Sequence, residues 1–278
     1  MEPLLIDAWA QPGSRALLER VPEGAPLLKK SKSPIFDRTF SIDETVEEMD
    51  KAGIRALMLC AWCRPGQWVY TNDEVAEYTR RYPDRFFGVA AVDLEHPMAA
   101  VRELDRCVKD LGFKALRVIP WLWKRAPTDP LYYPLYVRCI ELGIPFCTQV
   151  GHTGPLMPSE PGRPIPYIDE IALTFPELTI VGGHIGYPWT QEMIAVAWKH
   201  ERVYIDTSAY TIRRLPEELI RFMKTRTGQR KVLFGTNYPM IFHEHALAGL
   251  DELGLSEEAR RDFLRGNAER VFRLEAIT

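Results

Sequence analysis

Eight short apolar runs recur along this chain, at 4–9, 56–61, 86–92, 115–119, 145–150, 178–181, 203–206 and 232–234. Nearly every position in them is apolar, so neither face of such a strand is meant for water. Strands buried on both faces belong to parallel sheets covered by helices. Helical patterning fills the intervals. Ser41-x-x-Glu44 is a capping box opening a helix over Val46, Met49 and Ala52, which Gly53 closes. Further helices are predicted near 73–81, 97–111, 129–142, 167–175, 190–200, 216–227, 245–253 and 256–269, two of them ended by Gly112 and Gly143. Eight such units close most simply into one (β/α)8 TIM-type barrel, a single domain over 1–278, and a length near ~250 residues is typical of that fold. No glycine-rich phosphate loop follows the first strand, which counts against a doubly wound open sheet. Residues 11–40, rich in Pro, Gly, Lys and Ser without clear periodicity, are expected to form a long loop.

The formal net charge of −3 and the lack of any long run of like charge give no reason to expect a nucleic-acid partner. No apolar stretch approaches the ~20 residues of a membrane span, and the first residues lack a basic start followed by an apolar signal core. A cytoplasmic protein acting on a small molecule is expected, with a homodimer as the default assembly. Its five cysteines, Cys60, Cys63, Cys107, Cys139 and Cys147, are odd in number and sit mostly in apolar segments, as thiols of a reducing cytosol do. Cys60-x-x-Cys63 has no second pair to complete a zinc site.

In a barrel, the C-terminal ends of the strands line one mouth, where catalytic groups collect. The first strand delivers Trp9 and Gln11, the second Trp62, and the fourth Arg117 and Trp121. The fifth delivers His152, the sixth His184 and Tyr187, the seventh Asp206 and Thr207, and the eighth Asn237 and Tyr238. A lone histidine is commonly structural. Two at equivalent strand ends, each flanked by glycine, point to function. Arg117 is a natural anchor for a carboxylate or a packing guanidinium, and Asp206 is a site residue or a turn cap. The indoles and phenols suit a flat or aromatic substrate, or simply pack.

Gly151-His-Thr-Gly, Gly182-Gly-His-Ile-Gly, Val232-Leu-Phe-Gly-Thr-Asn-Tyr-Pro and Gly266-Asn-Ala-x-Arg-Val-Phe, in this order, resemble the amidohydrolase-related family. That family includes aminocarboxymuconate semialdehyde and resorcylate decarboxylases. Arg81-Tyr-Pro-Asp-Arg-Phe and Leu111-Gly-Phe-Lys extend the resemblance over essentially the whole chain. It implies a metal held by an Asp-x-His-x-His on the first strand and an Asp at the end of the eighth. Here those positions read Asp7-Ala-Trp9-Ala-Gln11 and Asn237. His152 and His184 match the family's remaining histidines and are the candidate metal ligands. A catalytic zinc normally uses three protein ligands, so this set allows one divalent metal (zinc) at low occupancy or none. His243 and His245 are expected to start a helix rather than ligate.

The leading expectation is a hydrolase acting on a small aromatic or unsaturated carbonyl compound, such as a C–C bond beside a ketone or a β-ketoacyl thioester. His184 or His152 would be the general base and Asn237 and Gln11 oxyanion donors. Arg117 would hold an anionic group, beside Trp9, Trp62, Trp121, Tyr187, Asp206 and Tyr238. The alternatives are a decarboxylase of an aromatic or muconate-type carboxylate, and a degenerate member that binds a ligand without turning it over.

Overall fold

A computed structural model describes residues 5–151 and 154–274. Eight parallel strands pair in the order β1 (Leu5–Ala10), β2 (Ile54–Cys60), β5 (Phe86–Ala90), β6 (Ala115–Val118), β7 (Phe146–Gln149), β8 (Ile180–Gly183), β9 (Val203–Asp206) and β10 (Val232–Leu233). The remaining two, β3 (Trp62–Arg64) and β4 (Gln67–Tyr70), form a separate antiparallel hairpin. The ring closes between its first and last members. Ala8 N–H donates to the Phe234 carbonyl at 2.9 Å, Asn237 N–H to Trp9 at 2.8 Å and Gln11 N–H to Tyr238 at 3.0 Å. Asp7 holds the same seam. Its carboxylate accepts from the backbone N–H groups of Trp9 and Thr236, both at 3.0 Å, and pairs with His243 at 3.1 Å. The (β/α)8 barrel expected from the apolar periodicity is the observed fold.

Local chemistry explains where the helices start. Ser41 and Glu44 satisfy each other's backbone N–H groups at the head of Ile42–Lys51, and Thr71 with Glu74 does the same for Asn72–Arg81. No helix among the described residues is long and apolar enough to cross a membrane.

Two expectations change. The sixth barrel strand, expected over 178–181 and ending before its glycines, instead includes them. Gly182 and Gly183 pair in parallel register with Thr148 and Gln149. They lack side chains because the space is taken: a Cβ on Gly183 would lie 2.5 Å from the Trp9 ring, and one on Gly182 2.9 Å from Met193. The segment 11–40 is also more than a loop. It contains the short helices Ala16–Arg20 and Ala25–Ser31 and single turns at Pro22–Gly24 and Pro34–Phe36. The hairpin anchors this cap. Arg64 forms a bidentate pair with Glu23 at 3.0 and 3.1 Å, Arg20 donates to the Val69 carbonyl at 2.8 Å, and Tyr70 OH donates to Ser14 at 3.0 Å.

Candidate active site

Between the cap and the strand ends lies a cavity of about 720 Å³, its mouth included. The cap supplies an apolar roof from Leu17, Val21, Leu27 and Leu28, and Trp62, Trp121, Tyr210 and Met240 form further wall. Three polar side chains, His184, Asn237 and Gln149, break this surface. A mostly apolar cavity with a few converging polar groups is the usual form of a small-molecule site.

The backbone around these groups is strained. His184 (φ 70°), Ile185 (56°), Ala209 (65°) and Asn237 (64°) all adopt the left-handed region without being glycine. Such residues cost roughly 1–3 kcal/mol each and cluster where a side chain must be aimed. Three of the four, His184, Ala209 and Asn237, line the cavity.

A hydrogen-bond chain sets the state of His184. Its Nδ1 lies 3.0 Å from the Ser208 carbonyl and 2.7 Å from Ser208 Oγ. A carbonyl only accepts, so Nδ1 carries the proton. Ser208 Oγ passes its own hydrogen to Asp206 Oδ1, which also accepts from Ser208 N–H at 2.8 Å. Nε2 therefore keeps its lone pair and has no hydrogen-bond partner among the described residues. Burial pushes His184 down to about 3, helped by the nearby Arg117 charge and opposed by the bond to Ser208. Burial raises Asp206 to about 6, against its bonds to Ser208 and the Arg117 charge. At neutral pH His184 is neutral.

Of the residues proposed from strand ends, His184, Asn237, Trp62 and Trp121 come together on the cavity wall. Trp121 Nε1 donates to Gln149 at 2.6 Å, while Trp62 Nε1 and Asn237 Oδ1 are buried without a partner among the described residues. Trp9, Gln11, Arg117 and Asp206 are buried away from the lining. The Arg117 guanidinium lies over the Trp9 ring at 3.0 Å, and that indole stands 4.8 Å from the His184 ring. Gln11 Nε2 donates to the Asn237 carbonyl at 2.9 Å, a structural bond. Tyr238 is fully buried and stacked on His243, and Tyr187 is 47% exposed; neither lines the cavity. His152 lies outside the described residues.

Sequence reasoning missed Gln149, Ser208 and the roof. Gln149, the last residue of the fifth barrel strand, was findable by position. Ser208 carries no signal beyond following Asp206. His243 does start a helix, His243–Leu247, but points inward to Asp7, whereas His245 is exposed.

The amidohydrolase family profile matches residues 40–274. The chain belongs to the amidohydrolase family. A gamma-resorcylate decarboxylase of Polaromonas sp. is 25% identical over 84% of this chain and 87% of its own. An uncharacterised TIM-barrel protein, Bb4693 of Bordetella bronchiseptica, superposes with a TM-score of 0.84 at 25% identity, over 97% of this chain and 98% of that one. A Polaromonas dihydroxybenzoic acid decarboxylase, solved with manganese and 2-nitroresorcinol, has the same fold (TM-score 0.68, 20% identity, 98% and 97% covered). The gamma-resorcylate decarboxylases among its relatives overturn the hydrolase expectation: their reaction is decarboxylation, which removes a carboxylate as CO2 and consumes no water across a C–C bond.

The metal in that solved relative is manganese rather than the expected zinc. The donors among the described residues, which do not include His152, fit neither ion. The two first-strand ligand positions carry an indole and an amide, and the eighth-strand position an uncharged amide whose Oδ1 has no partner among the described residues. Burial keeps the nearby thiols of Cys60 and Cys147 protonated, pushed up to about 12. Among the described residues no three His, Cys, Asp or Glu side chains gather to hold a metal.

Proposed function

We propose that this chain decarboxylates a small hydroxylated aromatic or similarly conjugated carboxylic acid. The observation that carries this reading is His184: a neutral imidazole with an open Nε2, aimed into an indole-walled cavity and backed by Ser208 and Asp206. Kinship with gamma-resorcylate decarboxylases supports the substrate class.

Loss of CO2 from such an acid requires electron density at the carboxyl-bearing carbon and a proton delivered to it. Nε2 accepts the proton of a ring hydroxyl adjacent to that carbon, leaving a phenolate. The Asp206 carboxylate, reached through Ser208, steadies the imidazolium. A histidine held neutral at rest is a strong acid once protonated, so it gives the proton to the ring carbon. The carbon–carboxylate bond then breaks, its electrons restoring the aromatic phenolate as CO2 leaves, and solvent reprotonates the oxygen. Trp62 Nε1 and Asn237 Oδ1, both buried and without a partner among the described residues, provide one donor for the carboxylate and one acceptor for a second hydroxyl. Apolar walls disfavour the carboxylate relative to uncharged CO2.

The test is CO2 release, and bicarbonate incorporation in reverse, over a panel containing gamma-resorcylate, other dihydroxybenzoic acids and 5-carboxyvanillate. Turnover of at least one, lowered roughly 10²–10⁴-fold in His184→Gln, is expected. If His184→Gln retains full turnover of a confirmed substrate, the assignment is wrong.

A further inference from the structure

The poor fit to a metal has a positive counterpart. We infer that the Arg117 guanidinium, laid on Trp9, stands in for the divalent ion as the fixed positive charge beneath this site, and that the enzyme works without a metal.

Trp9 occupies one of the two first-strand positions where the family resemblance requires a metal-binding imidazole. Its indole is fully buried, with the guanidinium 3.0 Å away and the His184 ring 4.8 Å away. Space for that ring exists because Gly183, on the strand that leads to His184, has no side chain: a Cβ there would fall 2.5 Å from the indole. Arginine, indole and glycine come from three different strands and fill one volume together. Such a stack is a favourable cation–π arrangement whose charge is spread and weakly hydrated, which suits a buried cation.

The charge is not cancelled by a contact ion pair. Among the described residues Arg117 has no carboxylate within bridging distance, and its only polar partners are the thiols of Cys60 and Cys147. Its Nε and Nη2, and Asp206 Oδ2, are buried without partners among the described residues. Burial keeps both thiols protonated, so neither supplies a countercharge. A guanidinium in this position projects its field towards the Asp206–Ser208–His184 chain, and the same field repels any divalent cation approaching His184. Arg117 does not line the cavity, so it acts through Trp9 and His184 as a positioning and electrostatic residue, not by touching substrate.

This inference goes beyond the decarboxylase reading, because metal content is measured without knowing the substrate. Protein grown with added manganese and zinc, then dialysed without chelator, is analysed for metals and titrated calorimetrically with MnCl2 and ZnCl2. Metal far below one ion per chain and no stoichiometric heat are expected; one tightly held ion per chain overturns the inference. Once a substrate is in hand, Arg117→Ala should lower kcat by about 10²-fold, the usual cost of losing one preorganised electrostatic group. Added guanidinium should restore activity to that variant, whereas tetramethylammonium should not, and Arg117→Lys should retain more activity than Arg117→Ala. A folded Arg117→Ala that guanidinium fails to rescue counts against the role. Should Arg117→Ala not fold, the wild-type metal analysis decides alone.

Discussion

Opposite pH dependence is expected of two groups that share one hydrogen-bond chain, and stability measurements can separate them. His184 is lowered to about 3 in the folded chain against an ordinary 6.5, chiefly by burial. A group depressed in this way contributes stability that is complete above its unfolded value and is lost as pH falls below it. Asp206 is raised to about 6 against 3.8, again by burial. Its contribution is complete below 3.8 and is lost as pH rises towards 6. Between about pH 7.5 and pH 5, linkage gives a loss from His184 and a gain from Asp206, each on the order of 1–2 kcal/mol. The wild type should therefore change by less across that window than either group alone would dictate, because the two contributions oppose each other. Removing either one exposes the other. Asp206→Asn should weaken on acidification and His184→Asn should strengthen, each by on the order of 1–2 kcal/mol. Urea unfolding followed by circular dichroism at several pH values, with m unchanged, gives both slopes. The absolute stability of each variant also reflects its altered packing, so the slope with pH is the quantity that bears on the argument. Parallel slopes in the wild type and both variants would refute a neutral buried His184 coupled to a proton-retaining Asp206.

Three further outcomes follow from particular contacts. Ser208→Ala removes the bridge between His184 and Asp206, yet each keeps a backbone partner in Ser208, at 3.0 and 2.8 Å. A stability loss of about 1–2 kcal/mol is expected, with a larger proportional fall in kcat than in stability; unchanged kcat on a confirmed substrate would remove Ser208 from the chain. Gly183→Ala should destabilise by roughly 1–3 kcal/mol through overpacking on Trp9, measured by thermal or urea unfolding, and the cost should shrink in a Trp9→Phe background. Lys231 donates from Nζ to the carbonyls of His200, Glu201 and Val203 at 2.8, 2.5 and 3.2 Å, and burial brings it down to about 8. Lys231→Met should cost about 1–3 kcal/mol by leaving those carbonyls unpaired, read from the same urea curves.

The eight-unit barrel was legible because its signal is local and repeated: apolar runs of strand length, helices with capping boxes, and glycines that stop them. The mouth was legible for the same reason. Once strands are counted, the residue that ends each one is known, and His184, Asn237, Trp62 and Trp121 were found that way. The cap over 11–40 was not, because its helices are five and seven residues long. So few turns develop no periodicity, and what holds them is the Arg64–Glu23 pair and the hairpin, neither adjacent in sequence.

Even the feature read most directly, the glycines before His184, acquired its meaning only across strands. From sequence they looked like residues just past a strand end, flanking a candidate histidine. In the barrel they are paired strand residues, bare because Met193 fills the space beside Gly182 and an indole from the first strand fills the space beside Gly183. Arg117 likewise read as either a carboxylate anchor or a guanidinium packed on aromatic neighbours, and closure of the ring decided for the second by laying it on Trp9. The order of residues thus determined the barrel, its mouth and the missing metal ligands, since each depends on local pattern or residue type alone. Which side chains meet at the centre depends on parallel register and ring closure, which bring the first, fourth, sixth and seventh strands within a few ångströms of one another. That arrangement, with Arg117 on Trp9 and Asp206 behind His184, was decided by the tertiary structure.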